Sequence, residues 1–516
     1  MNQSEIKRTS IKKWIWFAGV LLLVYLASKL LDIDAGYFFK RAGHLTDIVG
    51  KMFPPEWDYI SKIIEPVIST LQMSVAGTVM GAFFALLFAP LCANVVVFPA
   101  WIRGILKLII QVMRSFPALI LALSATFVFG LGTFAGTAAL TIYTFAIMTR
   151  LTYEDAESMG QRTYMAIRNM GVGRYKAFMR GTLPDILPSY LTNALYMLES
   201  NVRQSAILGY VGAGGIGLLI NEKVSWREYS KVGMILIVLY VVVCAIEWLS
   251  QFLTAVVRNE KKLPKRCKKL IVIVLAAIFL YCIITQSPPD FSHTSLTVIK
   301  NMLMGFVRPD FSFITDMSTS GLLYLLLETV CISFLGTLLG AVISIPLSLL
   351  NTSKLMPRPI SLIFRLVVMA VRAVPFVIYG IIFVRVTGQG AFTGVLTMTV
   401  CSIGLLTKRF TQSIDALDLR SYNALKSMGI TSFKRIRYCL LPQLGPQFAS
   451  VILYRFDVNI REASVLGLVG AGGIGTPLIF AMNHYDWTTA GAISWGLIII
   501  VWVIDFCSVR LRSRLQ

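Results

Sequence analysis

The sequence predicts an all-α polytopic membrane protein, built as two homologous six-helix halves with pseudo-twofold symmetry. Three observations predict it. Of 516 residues, 56% are hydrophobic and 14% charged, with a mean hydropathy of +0.72; soluble domains carry about 25% charged residues. Apolar runs of about 18 or more residues, enough to cross a bilayer, recur along the chain. Finally, one stretch occurs twice at a constant offset, Met165 to Gly217 and Asn423 to Gly475.

The elements follow in order. Residues 1–13 hold Lys7, Arg8, Lys12 and Lys13, and an apolar run extends from Trp14 to Leu31. That run exceeds the ~7–15-residue core of a cleaved signal peptide, so an uncleaved first span is expected. Residues 32–64 read as polar, with Phe53-Pro54-Pro55-Glu56-Trp57 stopping any helix. Glu65 to Pro90 is the second span, with Gly77 and Gly81 spaced for close helix contact. A short basic stretch follows (Arg103, Lys107, Arg114). Phe116 to Gly130 and Thr133 to Thr149 read as two spans joined by a glycine turn. Arg150 to Pro184 is a long polar segment, and Pro188 to Gly209 and Val232 to Val257 are the fifth and sixth spans.

The pattern then repeats, with spans near 270–285, 322–350, 374–387, 391–407, 445–467 and 489–509. The expected domains are therefore 1–257, a basic cytoplasmic linker 258–269, and 270–516. Six spans per half give both halves the same orientation, a parallel repeat about an axis along the membrane normal. With both termini inside, most of the 48 Lys and Arg fall in inside segments, as the positive-inside rule requires. The net charge of +22 is thus explained by membrane topology, and no nucleic-acid module is legible. Most of the eight Cys lie within apolar runs, none in a CxxC, and the three His are isolated, so no metal site is expected.

The duplicated stretch carries the chemistry. Each copy opens with helix-forming residues (Ala, Leu, Met and Lys), then a glycine suited to a helix C-cap, Gly171 or Gly429. Basic residues and Leu183-Pro184 or Leu441-Pro442 follow. The reading is a helix–turn–helix on the cytoplasmic surface that a soluble partner can grip. This spacing resembles the EAA loop (EAA-x3-G-x9-I-x-LP) of permease subunits of ABC importers. In the corresponding positions stand Met165, Ala166, Gly171 and Pro184, and Asn423, Ala424, Gly429 and Pro442. The resemblance implies a coupling helix seated on an ATPase. Met165 and Asn423 stand where the family usually has Glu, and Gly181 and Cys439 where it usually has Ile.

Three further pieces narrow the resemblance: Phe53-Pro54-Pro55-Glu56-Trp57 echoed by Val307-Arg308-Pro309-Asp310-Phe311, Arg-x-x-Pro at Arg114 and Arg372, and acid-x-Asn-x-Arg leading into Leu-Gly-x-Val-Gly-Ala-Gly-Gly-Ile-Gly. Together they look like the permease of phosphonate and phosphite importers, here as two copies fused in one chain. The resemblance implies a type I (MetI-like) importer fold in a bacterial inner membrane. It also implies a dimeric cytoplasmic ATPase and an extracytoplasmic phosphonate-binding protein as partners. No cofactor is expected on this chain: it has no GxxxxGK[ST], so ATP and Mg would sit on the ATPase.

On the fifth span of each half, Glu199 and Arg203, and Asp457 and Arg461, are four apart and share a helix face. Ionised groups within spans cost about 2.5–3.5 kcal/mol each and normally face a bundle interior or wet cavity. Two uses stay open: an ion pair that holds the helix, or a path on which Arg203 and Arg461, with Asn201 and Asn459, attract an anion. Arg455 adds positive charge in the second half, opposite Met197. Gly212, Gly214, Gly215 and Gly217, and Gly470, Gly472, Gly473 and Gly475, mimic a dinucleotide fingerprint, but that motif needs a preceding strand. A tight re-entry turn or outer gate is expected instead. The rivals are an ion-coupled secondary transporter of a small anion, using Glu199 or Asp457, and a membrane enzyme, for which no catalytic constellation is present.

Overall fold

The computed structural model describes residues 18–33, 35–94, 99–159, 161–258, 260, 264–286 and 296–515. These residues are mostly helical, with no strand among them. The first part of the predicted first span, residues 14–17, and part of the linker lie outside the described residues.

The helices are α1 Ala18–Leu30, α2 Ala35–Lys51, α3 Ile60–Cys92, α4 Ala100–Ser115, α5 Ala118–Phe129, α6 Thr133–Met159, α7 Gln161–Asn169, α8 Arg174–Ala177, α9 Leu183–Leu208, α10 Ile216–Ser225 and α11 Tyr229–Val257. Then follow α12 Lys265–Ile284, α13 Leu296–Val307, α14 Phe311–Thr315, α15 Leu322–Asn351, α16 Arg358–Ala373, α17 Phe376–Thr387, α18 Ala391–Ala416, α19 Arg420–Ser427, α20 Ser432–Arg435, α21 Leu441–Leu466, α22 Gly475–Asn483 and α23 Trp487–Leu515. Among the described residues, seven helices are long and apolar enough to cross a membrane, and up to ten if each of three bent pairs counts as one span. α1 is a shorter apolar helix. α21 falls short by composition, because Arg455, Asp457, Arg461 and Glu462 all lie on it.

Three expectations need correcting. Residues 32–64 are not helix-free: α2 occupies Ala35–Lys51 and ends before Pro54 and Pro55. The basic stretch before Phe116 is α4, a helix turned 90° from α5 at Phe116-Pro117. The proline cannot donate a hydrogen bond and pushes the residue before it out of helical geometry. The repeat makes the same break, 84°, between α16 and α17. Lastly, the polar segment from Arg150 is helical for its first ten residues, because α6 runs on to Met159.

Packing divides the described residues into two compact units: those within 48–304 with 373–375, and those within 1–47 with 305–372 and 376–516. The packing boundary therefore lies beyond the linker. α12 packs on α3, where Gln72 donates to the Thr285 hydroxyl (2.8 Å), and Gln286 donates to Thr137 of α6 (2.7 Å). In each unit one long helix pair forms the spine, α3 with α6 and α15 with α18. Glycines permit the approach. A Cβ on Gly77 would stand 2.6 Å from Leu140 Cβ, and one on Gly340 2.5 Å from Ser402 Cβ. Small residues at such contacts let membrane helices gain van der Waals contact that lipid does not supply.

Candidate functional site

α9 and α21 begin alike. A π-helical turn, Phe178–Thr182 or Ile436–Leu440, leads into Leu-Pro at the first turn of the helix. Proline cannot donate to the turn before it and its ring crowds that turn, so the wider π-helical turn accommodates it within a continuous helix. Each helix then carries its polar residues into the interior of its own unit.

In the first unit Glu199 is 5% exposed and accepts a 2.8 Å hydrogen bond from Arg203 Nη1. Asn201, fully buried between them in sequence, donates through Nδ2 to Thr78 Oγ1 of α3 (2.8 Å) and Thr144 Oγ1 of α6 (2.7 Å). The Thr78 hydroxyl gives its own proton to the Ser74 carbonyl, which leaves its oxygen to accept. The second unit repeats the device. Arg461 Nη2 lies 2.7 Å from Asp457 Oδ2, and Asn459 Nδ2 donates to Thr337 Oγ1 (2.6 Å) and Ser402 Oγ (2.8 Å). The asparagines thus tie the spine pair of each unit to its polar helix. Among the described residues, Oδ1 of each has no hydrogen-bond partner.

Arg455 does not add an unanswered charge. It is 2% exposed, its Nη2 is 2.9 Å from Glu462 Oε2, and its Nε donates to Ser402 Oγ at 3.3 Å. The first unit has Met197 and Gln204 at these positions, so the second unit holds an additional ion pair, whose partners are seven residues apart and share a helix face with each other. Sequence reading missed two acids. Glu247 on α11 and Asp505 on α23 are 5% and 8% exposed, and Glu247 acts electrostatically on Arg203. They occupy matching positions in the last span of each half. An acid inside an apolar run, repeated at the offset of the larger motif, is the signal that would have found them.

The glycine corner is a turn between helices. After α9 and a 3₁₀ turn, Gly209–Val211, Gly212, Gly214 and Gly215 take φ of +83°, +76° and +75° before α10. Gly470, Gly472 and Gly473 repeat this at +75°, +78° and +74°. Thr70 accepts the Ile216 N–H (2.8 Å) and Thr329 the Ile474 N–H (3.0 Å), capping the helices that follow. Gly217 and Gly475 are needed for closeness: a Cβ would lie 2.3 Å from the carbonyl oxygen of Ala206 or Ser464. Helix, not strand, precedes the corner, so it is no dinucleotide site. Beyond α10, hydrogen bonds from Lys231 and Lys223 hold the Glu228 carboxyl below the usual carboxylate range.

The two polar segments stand on the surface as helix–turn–helix feet. Met165 and Ala166 on α7 and Asn423 and Ala424 on α19 are exposed, as are Pro184 and Pro442. Gly171 (φ +82°) and Gly429 (φ +74°) end their helices in the left-handed conformation, with open space where a side chain would begin. This is the C-cap geometry expected of them.

The family described as "Binding-protein-dependent transport system inner membrane component" matches residues 77–259 and again 336–516. The phosphate-import permease protein PhnE of Mycolicibacterium smegmatis is 27% identical over 481 residues, covering 92% of this chain and 89% of that protein. The phosphite transport system permease protein PtxC of Stutzerimonas stutzeri is 33% identical over 192 residues, 37% of this chain and 70% of its own. A putative cryptic phosphonate transport system permease protein of Escherichia coli is 34% identical over 119 residues, 23% of this chain and 98% of its own. An inward-facing MetNI methionine ABC transporter overlays with a TM-score of 0.36 at 22% identity, covering 39% of this chain and 99% of that one.

Proposed function

The chain belongs to the family of inner membrane components of binding-protein-dependent transport systems, and from that premise we propose that it imports a phosphonate-, phosphite- or phosphate-type oxyanion. As a multi-pass permease subunit of an ABC importer it is a transport component rather than an enzyme, and its family works with an ATPase and a substrate-binding protein. The substrate class rests on relatives named for phosphate, phosphite and phosphonate transport. The partner we propose outside the cell is accordingly a binding protein for such an anion.

The observation that carries the reading is the duplication of one working assembly: a surface foot, a helix with a buried acid–arginine pair, and a glycine corner. We place both termini and both feet in the cytoplasm, where the Lys and Arg excess belongs. ATP binding closes the partner ATPases, and each foot moves with the ATPase that grips it. In each half the polar helix, α9 or α21, then swings, and its arginine, Arg203 or Arg461, with Glu199 or Asp457 beside it, serves the route. Asn201 and Asn459 transmit the swing to the spine helices. The glycine corners, Gly212 to Gly217 and Gly470 to Gly475, act as outer gate. ATP hydrolysis, with Mg on the partner, resets the inward state.

The test is reconstitution of the chain in proteoliposomes with its ATPase and binding protein, followed by uptake of labelled phosphite, methylphosphonate and phosphate. ATP-dependent uptake of at least one is expected. Uptake on a proton gradient without the ATPase would refute the proposal.

A further inference from the structure

The two feet are not equivalent. In the first, Ala177 is fully buried in an apolar cluster with Tyr164, Phe178 and Ile186. In the second, the position of Ala177 is taken by Arg435 and that of Tyr164 by Tyr422. Arg435 is only 8% exposed. Its Nη2 donates to Ser432 Oγ at 2.7 Å, and its guanidinium carbon lies 4.8 Å from the centre of the Tyr422 ring. Nε and Nη1 are buried with no acceptor among the described residues. A guanidinium is always charged and presents donors in a fixed planar fork matched to carboxylates. Burying it without an anion is unfavourable, and an isosteric apolar residue is often no worse for folding.

The surroundings supply no anion. From Arg420 to Leu440 the foot contains no acid, while Lys426, Lys434 and Arg437 are exposed on it. The lid over Arg435 is thin, because no residue of α19, which carries Tyr422, is buried. Beside it Met428, Phe433 and Tyr438 are 73%, 72% and 68% exposed. Exposed aromatic and methionine side chains around a buried arginine are the composition of an interface core.

We infer that Arg435 is a socket for a carboxylate of the docked ATPase, so that the second foot is held by a charge-assisted bond that the first foot lacks. Tyr422 occupies the socket's mouth in the unpartnered chain and gives way on docking. This rests on the proposed role of the feet in gripping an ATPase.

The experiment uses the full chain in nanodiscs, titrated with its purified ATPase, and the thermal melt of the chain alone. Arg435→Met is expected to leave the melt unchanged or raise it, yet weaken ATPase binding at least tenfold. Arg435→Lys keeps the charge and is expected to recover part of that loss. A photocrosslinker at Tyr422 should map to an ATPase segment with an Asp or Glu whose change to Gln reproduces the Arg435→Met defect. Equal binding by Arg435→Met and the parent chain overturns the socket, and so does Lys binding no better than Met. A defect seen only in nanodiscs containing anionic lipid would assign the partner to a headgroup and also overturn it. A parent chain that binds no ATPase overturns the proposed function itself, a different and separable failure.

Discussion

Removing Arg203 separates the two uses open to the buried ion pair. Arg203→Ala leaves Glu199, 5% exposed, without the guanidinium 2.8 Å away. Stripping one partner from a buried pair costs about 3–5 kcal/mol, because the remaining charge is uncompensated. At about 1.4 kcal/mol per tenfold, the folded-to-unfolded ratio falls by about two to three and a half orders of magnitude. Glu247, which also acts on Arg203, loses that interaction as well. Placing Glu199→Gln in the same chain removes the other half of the pair and should recover most of the loss, since neutral replacement of a whole pair is often nearly free. The assay is folded chain per membrane, from thermal melts in nanodiscs, alongside ATP-driven uptake per folded chain. The single variant should be depleted from the membrane. The double variant should be present near parental level yet import the anion at least tenfold more slowly. Parental uptake by the double variant would show that Arg203 merely neutralises Glu199. Normal folding of Arg203→Ala alone would refute the energetic argument.

Proline at both Gly171 and Gly429 should leave ATP hydrolysis by the bound ATPase running while uptake fails, because proline fixes φ near −65° where these residues sit at +82° and +74°; unchanged uptake would count against the feet as coupling elements. Gly340→Leu should separate α15 from α18, since even its Cβ would lie 2.5 Å from Ser402 Cβ, and overpacking of this kind costs about 1–3 kcal/mol; an unaltered melting temperature would contradict it. Asn459→Leu removes two interhelical hydrogen bonds worth about 0.6 kcal/mol each in membranes, so a loss of roughly 1 kcal/mol is expected in the same melt, with a larger loss excluding simple additivity.

Most of the helix framework was legible because bilayer thickness imposes a length that apolar runs reveal directly. Helices that obey another rule were harder to see. α4 interleaves Arg103, Lys107 and Arg114 with apolar residues, so a search for uninterrupted apolar runs reads it as loop. α6 continues past Arg150 because Arg150 and Glu154 pair four residues apart, with Nε and Oε1 at 2.6 Å, a helix-stabilising arrangement that hydropathy scores as a break. At the site, duplication identified Glu199, Asn201, Arg203 and their counterparts, but not what they touch. The threonine and serine partners on α3, α6, α15 and α18 are ordinary residues in a sequence, and only folding brings Thr78 and Thr144 to one asparagine. Arg455 looked like surplus charge because its partner is seven residues on, two helical turns, beyond the four-residue spacing that exposed the other pairs.

The placement of α12 has a practical corollary. A single break in the polypeptide between Arg258 and Pro264 would not yield two separable permeases, because the fragment beginning at α12 would remain stitched to the other through Gln72–Thr285 and Gln286–Thr137. The gene could thus be cut there into two co-expressed pieces that reassemble, whereas expression of residues 1–257 alone would expose a bare flank on α3 and recruit whatever apolar surface is nearest.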